Sequence, residues 1–345
     1  MNVGNQTIEW LYSEQLKVDQ KWSERTPGGF TWWADQNAQT IEVIGEEQGP
    51  DGETGYLISV RTDFLRCVDL NGKSLSVINT LLLPFASMTG PVYDAATRTL
   101  SLCSLVRVYE AIAAWMNPII SVAAVLQVGE ARIMGAETAE LLGAEQALSG
   151  HPRRGMRADP DEMAGMIATL IGPLGKQPSR WQGSEFQLTV DQHMQKPPSL
   201  MANASERGFT VEFPYGDHSS LCQVASDQPH PRYGNGLFLL QSFPIVGLSQ
   251  MEGISLALSL NAAELRHKPW GYGFGSYAYR DGTIHFTSFF PNVIYRTGLL
   301  PNLYFSTAQR ARAMAVRLER RDWTHESFTP RHSALGRMMD LPKEK

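Results

Sequence analysis

The chain has 345 residues, 43% apolar and 19% charged, which fits two globular domains and excludes wholesale disorder. Its net charge of −5 is uneven: residues 1–150 carry 9 basic against 18 acidic groups, a net of −9, and residues 151–345 carry 21 against 17, a net of +4. An acidic first half excludes a nucleic-acid surface there. Cys67, Cys103 and Cys222 are isolated and odd in number, so there is no disulfide framework. With no signal-peptide pattern and no run of 18 apolar residues, the expectation is a cytoplasmic protein that does not enter a membrane.

In chain order, an apolar stripe of Ile8, Leu11, Tyr12 and Leu16 predicts a helix over Thr7–Trp22. Pro27-Gly28-Gly29 breaks it. Strands are expected at Phe30–Ala34 and Gln39–Gly45. After the turn Gly49-Pro50-Asp51-Gly52 a third strand, Tyr56–Leu65, alternates Ile58, Val60 and Phe64 with Ser59, Arg61 and Asp63, the pattern of one dry and one wet face. A helix over Ser74–Leu83 follows, then strands at Val92–Asp94 and Thr99–Val108. Asn117-Pro118 is read as a cap followed by proline in the first turn, opening a long helix.

The second half repeats this order. Gly208-Phe209-Thr210 matches Gly29-Phe30-Thr31, and Gly236-Leu237-Phe238 matches Gly55-Tyr56-Leu57. Ser249-x-x-Glu252 is a capping box for a helix over Ser249–Leu265. A hairpin over Gly275–Phe290 turns at Asp281-Gly282, and a last helix runs near Pro301–Arg321. Offsets that stay between 179 and 185 predict a duplication. The expected organisation is a first α+β unit over 1–150, a linker with a short helix over 151–180, a second α+β unit over 181–329 and a flexible tail over 330–345. Phe186–Val190 is expected to be an extra edge strand. The fold class is therefore α+β: two tandem units, each an antiparallel sheet packed against helices.

This order resembles the type III secretion chaperone-like fold, which includes the YbjN-like families. The strand Tyr56–Leu65, the helix with Val77, Ile78 and Leu82, the hairpin Tyr93–Val108 and the helix from Asn117 carry the resemblance in the first half. Leu237–Phe243, Ile254–Leu265, Tyr277–Phe290 and the helix with Arg310 carry it in the second. The resemblance implies an internal pseudo-dimer, compatible with a monomeric chain, and a role in holding or regulating another protein.

No strong catalytic constellation is visible. None of the eight histidines belongs to an H-E-x-x-H or another recognised zinc spacing. Asp217-His218-Ser219 reads as a turn entering a strand, because neighbouring side chains in a strand alternate faces and cannot form a triad. Trp270-Gly271-Tyr272-Gly273-Phe274-Gly275 leads into a strand rather than a helix, the wrong context for a phosphate loop. His285 is expected on the wetter face of its strand, and Arg310, Arg317 and Arg321 are expected on a solvated helix face. Trp32 and Trp33, adjacent in a strand, point to opposite faces; one is either presented outward or covered where the two copies pack.

The expectation is thus no catalytic, cofactor or metal residues, and a protein-binding adaptor whose contact candidates are Trp32, Trp33, Trp270, Tyr272 and Phe274. The alternative is a small-molecule sensor or enzyme with a pocket between the units, near Trp270–Phe274 and His285.

Overall fold

Alternation along the strand Thr54–Arg66 (β4) sets the first layer. Ile58, Val60, Thr62 and Phe64 are buried while Ser59, Arg61 and Asp63 face away, so one side of the sheet must be covered by a helix. The structure, a computed structural model, describes residues 1–49, 52–83, 87–193, 201–215 and 217–320. The turn at Pro50-Asp51, the tail 330–345 and Arg321 lie outside the described residues.

The first unit runs α1 (Val3–Trp10), β1 (Ser23–Thr26), β2 (Gly29–Trp32), β3 (Gln39–Gln48), β4, α2 (Gly72–Val77), β5 (Gly90–Asp94), β6 (Thr99–Val108), α3 (Glu110–Leu142) and β7 (Glu145–Gln146). After a short helix α4 (Gly172–Gly175) the second unit runs α5 (Gly183–His193), β8 (Ala202–Ser205), β9 (Gly208–Tyr215), β10 (His218–Ala225), β11 (Gly236–Pro244), α6 (Gln250–Ala262), β12 (Ser276–Arg280), β13 (Thr283–Pro291) and α7 (Leu299–Arg320). Both sheets are antiparallel. The first has the order β1-β2-β3-β4-β6-β5, with β7 paired to the end of β4, and the second has β8-β9-β10-β11-β13-β12. Strand for strand this is one topology written twice.

Local chemistry repeats with it. Gly29 and Gly208 open the second strand of each sheet, where a Cβ would lie 2.0 Å from the Ile41 carbonyl oxygen and 1.9 Å from that of Val224. Only glycine allows the neighbouring backbone so close. Both α2 and α6 begin with a reciprocal capping box, Asn71 with Ser74 and Ser249 with Glu252, and both run on into a π-helical turn, Ile78–Leu82 and Ala263–His267.

The structure corrects several expectations. Each unit has four strands before its second helix; the short edge strands β1 and β8 were not expected, since β1 has no apolar residue and β8 only two alanines. Phe186–Val190 is not a strand but lies in α5, the counterpart of α1. Phe186, Leu188 and Val190 mimic a two-residue period, yet the buried set is Phe186, Thr189 and Val190, the helical i, i+3, i+4 spacing, and Leu188 is 54% exposed. Asn117 caps nothing: α3 starts at Glu110 and carries Pro118 inside it, while the Asn117 side chain accepts a hydrogen bond from Thr7 Oγ1 at 3.1 Å.

Helix α3 is apolar nearly all round. Among the described residues it is the one helix long and apolar enough to cross a membrane, but most of its apolar side chains, though not Ile133 and Leu141, lie in a single core that joins both units. The units interlock reciprocally. The segment before β12 reaches the first sheet at the edge of β6 beyond β5, where Leu105 and Gly273 exchange backbone hydrogen bonds of 3.2 and 3.0 Å. The segment before β5 reaches the second sheet at the edge of β13 beyond β12, where the Phe289 N–H donates to the Ser87 carbonyl at 2.8 Å. Leu105 and Phe289 are 184 residues apart, the offset of the duplication itself. Each unit thus extends the other's sheet, as partners in a two-fold dimer do.

The close approaches at Gly29 and Gly208 should make both intolerant of a methyl group. Gly29→Ala and Gly208→Ala are each expected to cost about 1–3 kcal/mol in urea unfolding, whereas Gly165→Ala, with open space around it, should stay within about 0.5 kcal/mol.

Candidate functional site

The joint between the units leaves a concavity of mixed polar and apolar lining on the outer face of the first sheet. Strand alternation turns Arg61 and Asp63 of β4 and Ser101 and Cys103 of β6 to that face. Asp94, Thr97 and Thr99 add the β5–β6 end, Ala147–Ser149 form a wall, and Arg266 enters from the π-helical turn after α6. The groove is open and encloses about 360 Å³. Leu265 packs on Val92 and Cys103 beside it, so its position depends on the second unit.

Charges in the groove are paired. Arg61 lies 3.7 Å from Asp63, Arg66 donates to Glu145 at 2.8 Å and Arg266 donates to Asp94 at 2.9 Å. The hydrogen bond from Arg266 holds the Asp94 carboxyl below its ordinary range. Burial pushes the Cys103 thiol up to about 12, so at neutral pH it is a protonated thiol rather than a nucleophile. Arranged this way, the groove presents paired charges and hydroxyl groups side by side. Nearby, burial pushes the Glu47 carboxyl up, but Arg107 and Lys268 outweigh it and hold the group below its usual value. Glu47, Arg107 and Lys268 therefore tie β3 and β6 to the second unit.

The expected contact residues lie elsewhere, mostly inside. Trp32 is in the core, its indole donating to Gln39 Oε1 at 2.7 Å. Trp33 is covered not by the second copy but by the connection after β7: its indole donates to Ser149 Oγ at 3.1 Å and its ring meets His151 edge-on. Trp270 and Phe274 are buried and Tyr272 is half-buried, its hydroxyl donating to Asn302 at 2.9 Å. None of these rings stands exposed as an anchor. His285 lies on the opposite side of β13 from Phe286 and the Trp270 cluster, with Nδ1 3.0 Å from Ser242 Oγ, so the imagined pocket of His285 with Trp270–Phe274 does not form. Among the described residues no cluster of metal-ligating side chains occurs.

The arginines of α7 overturn the expected solvated face. Arg310 and Glu264 are 1% and 0% exposed and form a bidentate pair, with Nη2–Oε1 2.7 Å and Nε–Oε2 3.0 Å. The Tyr277 hydroxyl donates to the same carboxylate, and Phe286 lies under the guanidinium at 3.6 Å. Burial first, then the Glu264 charge, keeps the Tyr277 phenol well above its ordinary value. Arg310 Nη2 also donates to the Tyr272 carbonyl at 3.0 Å, so this pair fastens the segment that reaches Leu105. Arg317 is buried against Trp270. A second buried carboxylate, Glu130 of α3, accepts from Ser87 Oγ and the Tyr233 hydroxyl, both at 2.7 Å.

The groove residues were visible only as a wet strand face; nothing in their spacing marks a concavity, and Arg266 comes from the far unit. Comparison with family models, curated proteins and solved structures finds no match for this chain.

Removing one member of a buried ion pair leaves the other uncompensated. Arg310→Leu should cost about 3–5 kcal/mol in chemical denaturation, and Glu264→Gln combined with Arg310→Leu should recover most of that loss, since glutamine still accepts from Tyr277. Burial raises the Glu130 carboxyl above its ordinary value of 4.5. Its contribution is therefore full below pH 4.5 and is lost as pH rises through the folded-state value. Glu130→Gln should raise the melting temperature at neutral pH and flatten its decline with pH.

Proposed function

We propose that the protein is a non-enzymatic binding scaffold that holds an extended segment of another protein across the outer face of its first sheet, in the groove of Arg61, Asp63, Ser101 and Arg266. The observation that carries this is an open, charge-paired and hydroxyl-lined concavity built jointly by two interlocked units. At about 360 Å³ it is at the small end of ligand clefts. That volume suits a few side chains of a segment lying on the sheet. An enclosed metabolite would need deeper walls. Paired charges select complementary partners and steer their approach more than they add affinity. The resemblance to chaperone-like families supports the same function.

The test is co-purification of the tagged chain from its native host, wild type against Arg61→Glu and Ser101→Trp. Both substitutions alter the groove floor or rim; Arg61 is exposed, so Arg61→Glu should leave folding within about 0.5 kcal/mol. The wild type should retain a specific protein that both variants lose. Recovery of the wild type alone, together with thermal stabilisation by a small metabolite, would replace the scaffold with a small-molecule function.

A further inference from the structure

The five residues His151-Pro152-Arg153-Arg154-Gly155 return 79 positions later as His230-Pro231-Arg232-Tyr233-Gly234. This offset is unrelated to the duplication, yet both copies fold into the same closed turn. In each, the histidine N–H donates to the glycine carbonyl, at 2.9 and 2.8 Å, and the glycine N–H donates back at 2.9 Å. The histidine Nδ1 accepts the N–H of the arginine two residues on, at 3.2 and 3.1 Å. The glycines take left-handed φ values of 73° and 71°, open to glycine at little steric cost.

The copies differ at the fourth position. Tyr233 turns inward to Glu130 and is fully buried. Arg154 is exposed, as is Arg153. Beneath them the first turn is fixed. The His151 ring packs edge-on against Trp33 and Trp22, and Arg157 donates to the Trp33 carbonyl at 2.7 Å while its guanidinium lies over Trp22. Two adjacent arginines are therefore displayed on a backbone that does not need to order on binding.

They share a concavity of about 710 Å³ with Lys21, Gln20 and Ser23. Arg25 also lines it but is committed to Glu9 by bonds of 2.6 and 2.9 Å and lies over Tyr12. Glu24 is the one carboxylate in the lining. Lys21, Arg153 and Arg154 form no ion pair with any described residue. Three free cations in one basin, without an apolar side chain in its lining, suit a compact polyanion. A peptide would find no hydrophobic anchor there. Arginine forks match phosphate oxygens bidentately, and lysine adds a point charge.

We infer that this basin binds a small phosphate-bearing anion, a polyphosphate or phosphate ester, at a site separate from the groove on the first sheet. Titration calorimetry of the full chain with inorganic tripolyphosphate should show a single saturable site whose affinity falls with salt. Arg153→Ala combined with Arg154→Ala should weaken it by roughly tenfold or more, and Lys21→Ala should weaken it too. Arg232→Ala, on the sister turn, should leave it unchanged, and circular dichroism melting should report the same fold for all variants. The inference is overturned by the absence of saturable binding, by equal affinity in the double variant, or by a hexaglutamate peptide that binds as tightly as tripolyphosphate.

Discussion

Each sheet in this protein is covered on one face by its own helix and is extended at one edge by backbone from the opposite unit. Leu105 of β6 and Phe289 of β13 lie just past the ends of β5 and β12, and their backbone groups bond there to Gly273 and Ser87 of the opposite unit. A Cβ at Gly273 would lie 2.3 Å from the Leu105 carbonyl oxygen, so the contact is backbone on backbone. This reciprocal crossing decides much else. It places Arg266 beside Asp94, brings Leu265 onto Cys103, and sets Tyr233 against Glu130 from the other half of the chain.

The two halves solve one packing problem with different chemistry. On α3, Gln127 donates to the Val60 carbonyl and to Ser104 Oγ, a neutral buried network. On α7 the residue 183 positions later is Arg310, which needs Glu264 and Tyr277 to be tolerable inside. Two carbonyls 183 residues apart are used alike, though from different strands: Gln39 Nε2 of β3 donates to the Ala124 carbonyl and Gln241 Nε2 of β11 to that of Thr307. A neutral amide costs little to bury when bonded, whereas a charged pair is sensitive to the loss of either member. The second unit's cohesion therefore depends on charge to a degree the first does not.

The duplication and the α+β class were legible because strand alternation, capping residues and glycine positions are local signals. Ser249 with Glu252 and the paired Gly29 and Gly208 can be seen without knowing what they touch. Phe186–Val190 was not legible, since Phe186, Leu188 and Val190 satisfy both a two-residue and a helical period over so short a span; only the exposure of Leu188 separates them. Arg310 and Arg317 looked like a solvated stripe because sequence does not reveal a carboxylate 46 residues away waiting on another helix. Trp33 was covered by a turn of the connecting segment, a contact between residues more than 110 positions apart. For the candidate site, the wet face of β4 was readable, but the concavity arises from tertiary placement of Arg266 and the wall at Ala147–Ser149.

Fusion of the two units into one chain also changes what the surface can offer. A pair of identical subunits would display every site twice, facing opposite ways. Here the positions on the second sheet that correspond, in the cross-strand register, to Arg61, Asp63, Ser101 and Cys103 are Leu240, Ser242, His285 and Thr287. Ser242 and His285 contact each other, and Thr287 Oγ1 lies 3.5 Å from the Leu83 carbonyl of the first unit. The arginine-rimmed groove therefore has no twin. The molecule keeps the architecture of a dimer but displays this groove once.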